Sequence, residues 1–202
     1  MKSAYLTTEN AKQKKTEWLA KLNKKHWKTF DLSKAALLVI DMQQYFTDSK
    51  SPAFVPSAPL VQENIQKLIA QFKKEKRPVI YTFFAVGSKE KDPILNWWGE
   101  TVTTGSKEAQ LTLSPDPHDL ILRKPTYSAF HGTSLHDFLQ VNAVESVLIT
   151  GLLSNLCCET TARDAFNHGY EVFFGLDSTA AYNEDQHLAT LLNLSQGFAT
   201  PL

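Results

Sequence analysis

Five short segments concentrate branched and aromatic side chains: Ala35 to Ile40, Val79 to Ala85, Leu120 to Arg123, Ser146 to Thr150 and Glu171 to Leu176. Several run apolar without alternation. Strands covered on both faces read this way, so the pattern predicts a parallel sheet. Between these segments the period becomes helical. Val61, Ile65, Leu68, Ile69 and Phe72 form one stripe, which ends in the basic run Lys73 to Arg77 and stops before Pro78. Leu135, Phe138 and Leu139 predict a shorter helix after Thr133. Cys158, Thr161, Ala162, Ala165 and Phe166 share one helical face, and Gly169 is placed to end that helix. Asn183 followed by Gln186 resembles a capping box that opens a last helix through Leu188, Leu191 and Leu192.

Strand and helix in strict succession predict an α/β fold: a doubly wound, open parallel sheet with helices on both faces, three layers of Rossmann-like type. The chain has 202 residues, of which 43% are hydrophobic, enough for one domain with a real core. We divide it into a basic helical N-terminal extension, residues 1–34, and a main domain, residues 35–202. In the extension Trp18, Leu19, Leu22 and His26 recur at helical spacing and predict packing on the body or on a second subunit. One long irregular stretch, Gly87 to Asp119, holds Trp97-Trp98-Gly99 and Ser114-Pro115-Asp116-Pro117. Loops of that length inside a domain commonly act as lids or partner contacts.

Charge refines this picture. Lysine plus arginine and aspartate plus glutamate each number 21, so the field that drives nucleic-acid binding is missing and no nucleic-acid partner is expected. The balance is uneven along the chain, because the extension carries nine lysines against Glu9, Glu17 and Asp31. That surplus reads either as a docking arm for an anionic partner or as a solvated helix face. The longest apolar run, Ala35 to Ile40, is far short of the roughly 18 residues of a membrane span, and the Lys-rich start does not resemble a signal peptide. Cys157 and Cys158 are the only cysteines, and neighbours cannot staple distant segments. No membrane partner and a reducing, cytoplasmic home are therefore expected.

In open α/β sheets ligands bind beyond the carboxyl ends of the strands. Asp41 follows the first strand segment, Lys124 the third, and Cys157 lies just past the fourth, at a helix start. Taken singly, each has a plain explanation as a turn residue, a solvated lysine or a small core thiol. Together on one edge they form an acid, a cation and a thiol suited to covalent hydrolysis. Cys158 belongs to the apolar stripe and faces the core. Cys157 sits in the first turn, where free N–H groups and a nearby Lys124 favour thiolate while Asp41 takes the proton.

Three ordered segments carry a family resemblance: Ala36 to Gln43, Ile121 to Phe130, and Ile149 to Ala165, reading ITGLLSNLCCETTARDA. Asp177 to Ala181 and His187 fit its closing segment. The chain resembles the isochorismatase-like cysteine hydrolase superfamily, which includes nicotinamidases, N-carbamoylsarcosine amidohydrolases and ureidoacrylate amidohydrolases. The resemblance implies that Asp41, Lys124 and Cys157 form a catalytic triad. It further implies a cis peptide joining Leu152 and Leu153, with the N–H groups of Leu153 and Cys157 aimed at a developing oxyanion. Cleavage of an amide or related C–N bond of a small molecule through a thioester follows, in a homodimer or homotetramer with Trp18, Trp27, Trp97 and Trp98 as contact candidates.

Departures from the family's branches narrow the reading. Nicotinamidases carry an Asp-x-His metal segment soon after the second strand, where this chain reads Thr82-Phe83-Phe84-Ala85-Val86-Gly87. Asp116-Pro117-His118 lies in a Pro-rich turn, so neither metal nor other cofactor is expected. True isochorismatases hydrolyse a vinyl ether with a general-acid aspartate. Asp41-Met42-Gln43, Tyr45-Phe46, Trp98-Gly99 and Tyr127 to Phe130 favour that branch. Against it, such enzymes have Gly in place of Cys157 and polar residues near Lys91, Phe84 and Leu153. Phe46, Trp97, Trp98, Tyr127 and Phe130 are candidate walls for a small, flat or apolar substrate, or completions of a core. Arg163 reads as a structural ion-pair partner. A binding or scaffold protein with an idle triad is the remaining alternative.

Overall fold

Six strands run parallel: β1 (Ala35–Ile40), β2 (Val79–Phe84), β3 (Leu120–Lys124), β4 (Ser146–Leu152), β5 (Glu171–Ala180) and β6 (Ala199–Pro201). The computed structural model describes residues 1–202 and arranges them as one sheet in the order β3-β2-β1-β4-β5-β6. Every residue of β1 and β4 is buried, which is why these central strands read as unbroken apolar runs. Seven helices pack around the sheet: α1 (Ala11–Lys21), α2 (Gln44–Thr47), α3 (Ala58–Lys74), α4 (Pro93–Trp98), α5 (Leu135–Val141), α6 (Glu159–Asn167) and α7 (Glu184–Gly197). The cap predicted for α7 is made: the Asn183 side chain accepts from the Gln186 N–H at 3.0 Å.

Two elements differ from expectation. β5 runs on to Ala180 through an irregularity, because Ile149 faces Phe174 while Gly151 faces Thr179. Strand β6 was not expected; it is three residues long, and its Pro201 is tolerated at the sheet's edge. Gly151 has φ +109°, and a Cβ there would stand 1.9 Å from the Ile40 carbonyl oxygen. Only glycine lets β4 pass so close to the end of β1, next to Asp41.

Residues 1–34 fold onto the main domain. Tyr5, Leu6, Trp18 and Leu22 are buried within the main core. Trp18 is fully buried and donates to Glu184 at 3.0 Å, so it packs inside its own chain rather than at a subunit contact. Trp27 is half-buried against the same core. Part of the basic surplus is used locally, with Lys14 on Glu184 at 2.8 Å and Lys15 on Asp177 at 3.0 Å.

The stretch Gly87 to Asp119 is better ordered than its composition predicts. Asp92 caps α4 by accepting from the Leu95 N–H at 2.8 Å, and Gly99 ends that helix at φ 74°. Isolated bridges tie Leu111 to Gln43 and Thr103 to Val86. Phe84, Ala85, Val86, Val102 and Ala109 form a small second core beneath it.

Candidate active site

Asp41 is the first residue beyond β1, Lys124 the last of β3, and Cys157 lies in a π-helical turn, Ser154–Cys158, between β4 and α6. A parallel sheet delivers all three to its carboxyl edge. Asp41 adopts φ 49°, a left-handed conformation that aspartate tolerates better than most side chains. Its N–H donates to the Thr82 carbonyl at 3.2 Å, and its Oδ1 accepts from the Thr82 hydroxyl at 2.8 Å. The Thr82 hydroxyl, between Tyr81 and Phe83 in a largely apolar strand, fixes the carboxylate.

Lys124 crosses from β3 to join the other two. Its Nζ lies 2.7 Å from Asp41 Oδ2, 3.3 Å from Cys157 Sγ and 2.8 Å from the Thr126 carbonyl oxygen, to which it donates. Both charged side chains are fully buried. Burial alone would lower the Lys124 pKa, but the Asp41 carboxylate and the Cys157 sulfur outweigh it and hold the lysine above its ordinary value. Lys124 pairs with Asp41 Oδ2 at 2.7 Å, and the Cys157 thiol also bonds to the carboxylate, which is thereby placed to receive the thiol proton.

Cys157 departs from the thiolate expectation. Burial pushes its thiol up to about 12; Lys124 pulls it down, and the Asp41 carboxylate adds to the rise. A low-dielectric site with a cation and an anion on the same sulfur keeps the proton on at rest. Cys158 is buried as expected, its sulfur 3.9 Å from the Thr150 carbonyl oxygen.

The turn that carries Cys157 is anchored from behind. The Leu153 carbonyl accepts from the N–H groups of Leu156 at 3.1 Å and Cys158 at 3.2 Å, and the Leu152–Leu153 peptide is cis. Ser154 Oγ lies 3.1 Å from Nδ1 of His187, whose Nε2 lies 3.1 Å from the Leu176 carbonyl oxygen. A carbonyl only accepts, so Nε2 carries the proton and Nδ1 accepts from the serine. Burial pushes His187 down to about 4, which keeps the ring neutral. The sequence links His187 to a closing segment; the contact with Ser154 shows what it holds.

Cys157 lines a cavity of about 250 Å³. Of the predicted wall residues, Phe46, Trp98 and Tyr127 line it, and Trp98 Nε1 donates to the Tyr127 hydroxyl at 2.8 Å. Leu153 lines it as well. Trp97 is not among the lining residues; it points outward and is 79% exposed. Phe130 also lies elsewhere, stacked on His168 at 4.9 Å between ring centres. The walls that sequence reasoning missed include Tyr45, Phe84, Ile94, Leu156 and Tyr182, with Lys2 and Glu100 as the two charged members. Gln43, which is buried, braces one side by donating to the Phe84 and Glu108 carbonyls at 3.1 and 3.2 Å.

Two further candidates have structural places. Arg163 pairs with Glu159 one turn back, at 2.8 Å. Asp116 belongs to a turn closed by the Asp119 N–H, and Lys73 contacts both carboxylates, at 2.5 and 3.1 Å.

Comparison with known proteins adds a second line of observation. Residues 35–202 match the family model of the isochorismatase domain. Nicotinamidase 3 of Arabidopsis thaliana is 37% identical over 171 residues, 82% of each chain. Enterobactin synthase component B of Escherichia coli (strain K12) is 32% identical over 176 residues, 84% of this chain and 60% of that protein. The crystal structure of a cysteine hydrolase from Pseudomonas syringae pv. phaseolicola 1448A superposes with a TM-score of 0.81 at 25% identity, covering 87% of this chain and 91% of that one.

Proposed function

The chain belongs to the isochorismatase family and is a hydrolase, and from that premise we propose that it cleaves an amide or related C–N bond of a small molecule by covalent cysteine catalysis. The observation that carries this reading is the lysine bridge: Lys124 touches both the Asp41 carboxylate and the Cys157 sulfur at a cavity wall. Asp41 Oδ2 takes the thiol proton, and the sulfur attacks the carbonyl carbon. The N–H groups of Leu153 and Cys157 hold the resulting oxyanion. Collapse breaks the C–N bond as Asp41 returns the proton to the departing amine. Water then adds to the thioester, losing its proton to Asp41, and the restored thiol leaves with that proton. Lys124 balances the negative charge as it moves between carboxylate and sulfur.

The chain's own donors favour a reaction without a metal. Ala85-Val86-Gly87 follows β2 with no imidazole or carboxylate, and the only carboxylate lining the cavity is that of Glu100. No helix is long and apolar enough to cross a membrane. A cytoplasmic setting suits a mechanism that needs Cys157 reduced. Assembly into a homodimer or homotetramer belongs to the same reading, with exposed Trp97 as an apolar contact.

A vinyl-ether hydrolase using Asp41 as general acid is the second reading, favoured by the likeness to the Isochorismatase of Bacillus subtilis (strain 168), 33% identical over 174 residues. Incubation with small aryl and alkyl amides, quenched in acid and followed by intact-mass spectrometry, separates the two. The amide reading expects an acyl adduct on Cys157, absent in Cys157→Ala. Turnover of a vinyl ether that survives Cys157→Ala and is lost in Asp41→Asn would replace it.

A further inference from the structure

One wall of the cavity comes from residues that precede the family-matched segment. Lys2 lines the same cavity as Cys157, although the family match begins at residue 35. Its place is defined by several contacts. The ammonium sits 4.3 Å above the Tyr182 ring and donates to the Pro52 carbonyl. The Ser3 N–H donates to the Tyr182 carbonyl at 2.9 Å, and the Tyr5 hydroxyl accepts from the Ala181 N–H at 3.0 Å. Leu6 N–H donates to Ser57 Oγ at 3.2 Å. The segment is thus laced both to the chain that leads from β5 to α7 and to the chain between α2 and α3.

An ammonium has three N–H donors, and Pro52 uses one, so two are left for a ligand. Glu100 is the other charged lining residue, and it accepts from the Tyr45 hydroxyl at 3.1 Å. The rest of the lining is uncharged and mostly apolar. At about 250 Å³ the cavity falls below the roughly 300 Å³ at which ligand pockets usually begin. A small molecule with its scissile carbonyl at Cys157 has little room to move, and the same lining holds buried Cys157 and exposed Lys2.

We propose that Lys2 is a specificity-determining residue that binds a carboxylate on the end of the substrate remote from the scissile bond. The substrate class is then a small, largely apolar amide bearing one distal carboxylate. This deepens the amide reading and rests on it for the position of the scissile bond. Burial lowers the Lys2 pKa and Glu100 opposes that effect, so the carboxylate of Glu100 helps keep the ammonium charged for its ligand. A carboxylate replaces water on the ammonium with a charge-assisted hydrogen bond, which a neutral substrate does not supply.

The test measures binding apart from turnover. Benzamide and 4-carbamoylbenzoate are titrated calorimetrically into the full-length Cys157→Ala protein, alone and combined with Lys2→Met or Lys2→Arg. The expected result is at least a tenfold preference for 4-carbamoylbenzoate, lost in Lys2→Met, largely kept in Lys2→Arg and reduced by salt. Equal affinity for the two probes, no binding of either, or a preference that survives Lys2→Met would overturn the proposal. Hydrolysis of the same probes by the unmodified protein is scored separately. Binding preference without an acyl adduct would count against the amide chemistry while leaving the role of Lys2 standing.

Discussion

Lys124 Nζ and Asp41 Oδ2 stand 2.7 Å apart with both side chains fully buried, and each is the other's compensation for leaving water. Taking away one partner strands the second charge in a low-dielectric site, at a cost of about 3–5 kcal/mol. Lys124→Met and Asp41→Asn should each lower unfolding free energy in urea. The double variant should lose less than the two single losses combined, because neither charge is then left alone. Additive losses would mean that the two residues stabilise the fold independently.

The sulfur that Lys124 also touches gives a prediction of opposite signs. Cys157 is raised to about 12 by burial, lowered by Lys124 and raised by Asp41. Alkylation by iodoacetamide at pH 7, resolved by peptide mass spectrometry from Cys158, should therefore be slow in the unmodified protein. It should speed up in Asp41→Asn and slow further in Lys124→Met, while both variants lose turnover. Rapid alkylation of the unmodified protein that Asp41→Asn suppresses would mean that the resting sulfur is already a thiolate, or that Asp41 activates it toward any electrophile.

The parallel sheet is legible because β1 and β4 are buried on both faces and so carry no polar alternation. Asp41, Lys124 and Cys157 are legible for a related reason: each stands at or past the carboxyl end of a strand, and the parallel sheet brings those ends to one edge. What surrounds them depends on contacts between distant segments. Trp97 and Trp98 are neighbours, yet on the short helix α4 only Trp98 turns toward Tyr127, and a stretch read as irregular offers no phase to tell them apart. Phe130 follows Lys124 closely in the chain, but the backbone turns away and seats it on His168. Tyr182 and Lys2 reach the cavity through pairing of the first residues with the β5–α7 connection, which no local pattern encodes. β6 escaped because three residues ending in proline present no strand signal.

His187 links the site to acid stability. Its folded pKa is near 4 against 6.5 for an ordinary histidine, so between those values the unfolded chain binds a proton that the folded chain refuses. The neutral ring's contribution is complete above about pH 6.5 and is lost progressively as pH falls toward 4. The difference corresponds to about 3 kcal/mol as an upper bound, from the free energy of each pKa unit. Urea unfolding at pH 7 and pH 4.5 should show this loss, and His187→Gln should show a smaller one, since glutamine has no proton to gain. Because Ser154 rests on Nδ1 of His187 in the turn that carries Cys157, the unmodified protein should also lose activity reversibly over the same interval. A pH slope unchanged in His187→Gln would assign the acid sensitivity to other groups.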